Sequence, residues 1–126
     1  MRVLLDTSAF IFSVQAPERL SKRAYAVLKN PDNIRELSVV SLVEIAVKTT
    51  LGKLNMPAQI ARQAVEDMDI QVMPFLSDYA FEMFALPIHL RDPFDRQIIA
   101  QALCQNIPVV TSDSRFSLYR ELKIIW

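Results

Sequence analysis

LRDPFDRQIIAQAL, residues Leu90 to Leu103, sets two aspartates at the head of a segment that then turns apolar along one face. Asp92 stands where a helix N-cap belongs. Pro93 suits the first helical position, and Asp95 falls in the first turn, near the positive end of the helix dipole. Ile98, Ile99, Ala102 and Leu103 recur at helical spacing and define the core face. Asp95 precedes the two isoleucines by three and four positions, so it shares their face. The pattern predicts a helix over Pro93–Gln105 that carries a carboxylate toward the core side, and a buried strand, Val109–Thr111, follows it.

Outward from this segment the same alternation repeats. Val3–Leu5, Leu37–Val40, Ile70–Met73 and Ile124–Trp126 read as short strands, the last at an edge. Between them lie predicted helices over Ser8–Val14, capped by Thr7 or Ser8; Lys22–Lys29, stopped by Asn30-Pro31; Leu42–Leu51, with Gly52 just beyond; Ala58–Met68; and Asp78–Leu86. Strands alternating with helices give an α/β fold: a three-layer α/β/α sandwich around a central, mainly parallel sheet. The 126 residues fit a single domain, 1–126, with no repeat and no linker.

Composition narrows the function classes. The chain is 52% hydrophobic, and its 14 Lys plus Arg balance 14 Asp plus Glu, which argues against coating nucleic acid by bulk charge. A single cysteine, Cys104, excludes an internal disulfide; it is expected in the core and is compatible with a reducing cytoplasm. No apolar run approaches the ~20 residues of a membrane span, and Asp6 interrupts the N-terminus too early for a signal peptide. A cytoplasmic protein without membrane attachment is the expectation. The one glycine, Gly52, leaves no phosphate-cradling loop.

In sheets of this kind ligands bind beyond the carboxyl ends of the strands. Asp6 follows the first strand, Ser41 and Glu44 the second, and Asp113 the Val109–Thr111 strand, while Asp95 heads the helix that leads into that last strand. Each acid also has a structural role open to it. Ser41-Leu42-Val43-Glu44 fits a capping box, Glu44 can pair with Lys48 one turn on, Asp113 can cap a turn, and Asp92 needs no role beyond its cap. Together they are harder to explain. Two unit charges ~4 Å apart repel by about 4 kcal/mol at an effective dielectric near 20, against a total stability of about 5–15 kcal/mol. Converging carboxylates must disperse, protonate, pair with bases or bind a cation.

Oxygen donors suit Mg²⁺, with Mn²⁺ as the other choice; zinc would want nitrogen or sulfur, and only His89 and Cys104 offer them. Ser8, Ser41 and Ser112 have no plausible histidine partner for nucleophilic catalysis. Metal-assisted phosphodiester hydrolysis is the leading chemistry. Setting the four acids aside leaves 14 basic against 10 acidic residues. Of Lys48, Lys53, Arg91, Arg96 and Arg115, all near the site-bearing segments, Arg96 and Lys48 are the expected phosphate contacts. Two other classes compete. A phosphoacceptor receiver domain would need an acidic pair after the first strand, where Asp6 is followed by Thr7. A non-catalytic binding module would have an incomplete acidic set.

Four blocks carry a family resemblance: Leu5-Asp6-Thr7-Ser8-Ala9; Ser38 to Ala46 with Glu44 and Lys48; Arg91-Asp92-Pro93-Phe94-Asp95-Arg96 with Ile99 to Ala102; and Val110-Thr111-Ser112-Asp113 with Phe116 and Tyr119. In order and spacing the chain resembles a PIN-domain ribonuclease of the VapC type, the toxin of a type II toxin–antitoxin pair. The resemblance implies a metal site of Asp6, Glu44, Asp95 and Asp113, with Asp6 and Asp95 as the most direct Mg²⁺ ligands. It implies Thr7 or Thr111 as donors that orient the carboxylates. It further implies an endoribonuclease acting on structured RNA, often transfer RNA, a second copy of the chain as partner, and a small antitoxin that covers the site. Val43 stands where the family often has tryptophan, and Leu90 where histidine often precedes Arg-Asp-Pro-Phe. Both departures bear on substrate choice and partner packing.

Overall fold

The computed structural model describes all residues 1–126. Five strands form one sheet in the order β3-β2-β1-β4-β5, and every neighbouring pair is parallel. They are β1 (Arg2–Leu5), β2 (Ile34–Ser38), β3 (Ile70–Met73), β4 (Val109–Val110) and β5 (Ile124–Ile125). The helices are α1 (Thr7–Gln15), α2 (Lys22–Lys29), α3 (Val39–Thr50), α4 (Ala58–Asp67), α5 (Ser77–Glu82) and α6 (Pro93–Gln105), with 3₁₀ turns at Pro17–Arg19, Met83–Ala85 and Ser114–Leu118.

Alternation along β1 builds the three layers, because successive side chains on a strand point to opposite faces. Val3 and Leu5 join Phe10, Leu28, Leu37, Ile45, Met56 and Ile70 in one buried cluster under α1 to α4. Leu4 points the other way, into a second cluster with Ile98, Ile99 and Ala102 of α6, Val109, Phe116 and Leu122. The expected α/β/α sandwich is thus present. No helix is long and apolar enough to cross a membrane.

The register determines what the sheet presents at its carboxyl edge. Leu5 pairs with Leu37 on one side and with Val110 on the other. The residues just after β1, β2 and β4, namely Asp6, Val39 and Thr111, therefore emerge side by side. The Asp6 amide donates to the Val110 carbonyl (3.0 Å), and the Thr111 amide to the Ile125 carbonyl (3.2 Å).

Several predicted boundaries move, for local reasons. Helix α3 begins at Val39, capped by Ser38, whose hydroxyl accepts from the Val40 amide at 3.2 Å. Val39 and Val40 were expected to end the strand, so Ser41 becomes an interior helical residue and the Ser41–Glu44 capping box does not form. Asp6, rather than Thr7 or Ser8, caps α1. At the other end of α3, Gly52 adopts φ +73°, the left-handed conformation expected of a glycine just past a helix. Asn106 takes the same role after α6 with φ +54°. Cys104, expected in the core, is exposed on the outer side of α6.

Candidate active site

Asp6 is 4% exposed, and both of its oxygens are committed. Oδ1 accepts the Ala9 amide at 2.7 Å, which caps α1, and Oδ2 accepts the Thr111 hydroxyl at 2.6 Å. Thr111 in turn accepts the Asp113 amide at 3.0 Å. One hydroxyl thus ties the ends of β1 and β4 to the loop that carries Asp113. Asp95 is half-buried in the first turn of α6. Asp92 caps that helix, its Oδ1 accepting the amides of Phe94 and Asp95, both at 2.9 Å. The cap fixes the direction of the helix, and the Ile98–Ile99 face behind Asp95 is fully buried.

Glu44, on the second turn of α3, is 4% exposed. Its Oε2 pairs with Lys48 Nζ at 2.5 Å, while its Oε1 is buried with no hydrogen-bond partner. A buried carboxylate oxygen without a donor costs about 1–3 kcal/mol or more, so a site with this feature favours a cation beside it. Asp113 is turned onto Arg115, which grips both of its oxygens, Nε to Oδ1 at 3.0 Å and Nη2 to Oδ2 at 2.7 Å.

The acids differ in how burial and neighbouring charge act on them. Burial pushes the Asp95 carboxyl up to about 7, reinforced by the charges of Asp92, Glu44, Asp6 and Asp113. Burial likewise pushes Asp6 up to about 6, with Glu44 and Asp113 adding repulsion, although the bonds from Thr111 and Ala9 pull it down. Asp113 moves the other way, held below the usual carboxylate range by the Arg115 guanidinium. The Lys48 ammonium is raised, first by its bond to Glu44.

The donor set is one of hard oxygens and fits a divalent cation of the Mg²⁺ type in its chemistry: a buried orphan oxygen on Glu44, and two carboxyls on Asp6 and Asp95 whose charges are disfavoured without a counter-ion. The arrangement is not that of a closed cage. No three acidic, histidine or cysteine side chains stand close enough together to hold one ion as they are placed. Lys48 and Arg115 take the role of counter-charges to Glu44 and Asp113. The convergence expected from the sequence is therefore one of shared field, with two of the four acids also paired to a base.

Other expected residues divide. Thr111 touches a carboxylate as expected. Thr7 does not: its hydroxyl donates to Ser41 Oγ at 3.0 Å, stitching α1 to α3. Arg96, expected to meet phosphate, instead donates to four main-chain carbonyls, Pro87 (2.9 Å), Leu90 (3.2 Å), Leu86 (3.1 Å) and Met83 (3.5 Å). Four of its five N–H groups are used in holding the loop before α6, so it is unsuited to substrate. Lys48 lies beside the acids but is paired with Glu44. Arg115 was passed over for phosphate contact, yet its side chain is 62% exposed and in direct contact with a site acid. Its two-residue distance from Asp113 was the only signal. His89 stacks its ring edge-on against Tyr119 at 4.9 Å, a packing role.

A family model described as the PIN domain matches residues 3–122. No curated protein matches the chain in sequence. Among solved structures the chain is similar to VapBC2 from Rickettsia felis, a complex bound to a fragment of its promoter DNA, with 15% identity over 98% of this chain and 97% of that one and a TM-score of 0.74. VapBC-5 of Mycobacterium tuberculosis, from a toxin–antitoxin family, matches at 25% identity over 98% and 96% of the two chains, with a TM-score of 0.60. VapC20 of the same organism, described as a toxin that cleaves the sarcin–ricin loop, matches at 17% identity over 96% and 98%, with a TM-score of 0.64.

Proposed function

The chain belongs to the PIN-domain family, and on that premise we propose that it is a metal-dependent endoribonuclease of the VapC type, the toxin of a toxin–antitoxin pair. The observation that carries the reading is the joint state of Asp6, Glu44 and Asp95 at the carboxyl edge of the sheet. Two of them are pushed toward neutral pH by burial and mutual repulsion, and the third keeps a buried oxygen without a donor. Such acids are suited to a divalent cation.

Asp6 and Asp95 would hold Mg²⁺, with Mn²⁺ as the alternative, and Glu44 would offer its free oxygen. When bound, the cation would polarise a water and neutralise a backbone phosphate of RNA, of the transfer-RNA kind among others. Thr111 fixes Asp6 by donating to one oxygen, so that carboxylate does not have to reorient during the reaction. Asp95 would act from the first turn of α6, a capped helix packed against the core. Lys48, once Glu44 has a stronger counter-charge, is positioned to meet phosphate.

The partner part of the reading is supported by the assemblies of the similar structures, several of them toxin–antitoxin complexes. Apolar surface is available for such partners. A groove of about 520 Å³ between α3 and α4 is lined by Leu42, Ile45, Met56, Ala61 and Val65. Phe81 and Phe84, 70% and 89% exposed, stack on each other near α5. A small antitoxin and a second copy of the chain, forming a homodimer, are the proposed occupants.

The test is cleavage of total RNA by purified, partner-free protein in Mg²⁺, in EDTA, and with Asp95→Asn. Cleavage confined to wild type in Mg²⁺ is expected; equal cleavage in all three would sink the proposal. A second reading, a PIN-like binding module without catalysis, is favoured by the ion pairs of Glu44 with Lys48 and Asp113 with Arg115. RNA binding without cleavage in either cation would select it.

A further inference from the structure

Two cations touch the acidic site, and they leave their partners in different states. Lys48 occupies only one oxygen of Glu44, and the other stays free. Arg115 takes both oxygens of Asp113, and its own main-chain amide adds a third bond to Oδ1 at 3.0 Å. A carboxylate gripped in this way has no oxygen to turn toward Asp6 and Asp95 without losing a bond to Arg115.

The grip is nonetheless exposed. The Arg115 side chain is 62% accessible and that of Asp113 24%. An exposed ion pair contributes little net stability, and a phosphodiester offers a guanidinium an equally good bidentate partner. Arg115 also lies within the field of Asp95 and Asp92, which places it at the rim of the same acidic cluster. The main chain of Asp113 stays anchored through Thr111 to Asp6. The movement required of Asp113 is a side-chain rotation that gives up the Arg115 guanidinium and the cap on the Arg115 amide while its main chain stays in place.

We propose that Arg115 is a substrate-responsive counter-ion: it sequesters Asp113 in the free protein and transfers to a backbone phosphate of bound RNA, releasing Asp113 to the cation site. This rests on the nuclease reading above. It makes full cation binding follow substrate engagement, and it gives Asp113 no share in the cation affinity of the free protein.

The test is calorimetric titration of Mn²⁺ into the full chain as wild type, Arg115→Gln, Asp113→Asn and the double variant, with melting temperatures confirming the fold. Arg115→Gln should bind Mn²⁺ about 5–10-fold more tightly than wild type, a coupling of ordinary size. Asp113→Asn should match wild type within about twofold, and the double variant should lose the gain. In EDTA, the affinity for a 2′-O-methyl oligoribonucleotide should depend less on salt in Arg115→Gln, its log–log slope falling by about 0.7 for one lost phosphate contact. Unchanged Mn²⁺ affinity in Arg115→Gln, a large loss in Asp113→Asn alone, or an unchanged salt slope each overturns the role of Arg115. If Mn²⁺ binding is nevertheless abolished by Asp95→Asn, the nuclease reading survives that result. Absence of Mn²⁺ binding by every form overturns both.

Discussion

The hydroxyl of Thr111 donates to the Oδ2 of Asp6 at 2.6 Å across 105 positions of chain, in a fully buried contact. It joins the ends of two adjacent parallel strands and orients one of the two most buried acids of the site. Thr111→Val keeps the shape and removes the donor. Since the bond pulls the Asp6 carboxyl down, its loss should raise that group further. RNA cleavage should fall about 10–100-fold. The pH at which activity half-appears should move upward, read from a pH–rate profile at fixed Mg²⁺.

Stability without metal should fall as pH rises. Asp6 and Asp95 carry protons in the fold up to about 6 and about 7, whereas in the unfolded chain they ionise near 4. Between those limits the native state binds more protons, so raising the pH favours unfolding. For Asp6 a shift of about two units corresponds to roughly 2–3 kcal/mol at most. Asp95, which is partly open to solvent, adds a smaller amount. Melting in EDTA should occur at a lower temperature at pH 8 than at pH 5.5. Added Mg²⁺ should raise the melting temperature at pH 8 far more than at pH 5.5, since it competes with protons for the same oxygens.

Asp95→Asn separates function from stability. It removes a carboxyl that burial and four neighbouring acids oppose. Cleavage should drop by at least about 100-fold, in the range seen when a group acting on the transition-state charge is removed. The metal-free melting temperature at pH 8 should rise by a few degrees or stay level. A fall of several degrees would show that Asp95 stabilises the helix more than it strains the site.

Arg96→Ala should behave in the opposite way. Its guanidinium holds four carbonyls of the segment before α6, and truncation leaves them without that donor. A loss of about 2–3 kcal/mol in urea unfolding is expected. The salt dependence of RNA binding should not change, because four of the residue's five N–H donors are committed to the main chain. A reduced slope would return Arg96 to the substrate surface.

What was legible in the sequence was local chemistry. Asp92 with Pro93 specified the start of α6 because capping depends on neighbours a few residues away, and the helix occupies the span predicted for it. The alternation of β1 specified two cores on either side of a sheet. The start of α3 was misread because Val39 and Val40 have the stiffness of strand residues, while Ser38 caps a helix there and Val40 packs into the second cluster. Cys104 follows a buried stripe, but one residue along a helix is a turn of about 100°, enough to bring it outside. Within the site, the sequence singled out acids that repel one another in the fold without closing on one ion. It could not show that Arg115 would fold back on Asp113, or that Arg96 would face main-chain carbonyls, because a long side chain's choice of partner depends on which groups the fold leaves unpaired.

The central place of β1 has a consequence for biosynthesis. Asp6 leaves the ribosome more than a hundred residues before its hydroxyl partner, which is made after both β2 and α6. Pairing at such separation comes late, since the intervening chain must first be gathered. A nascent chain, however well its early helices form, has no assembled site. The acidic edge of the sheet therefore becomes a single assembled surface only after synthesis has passed Thr111.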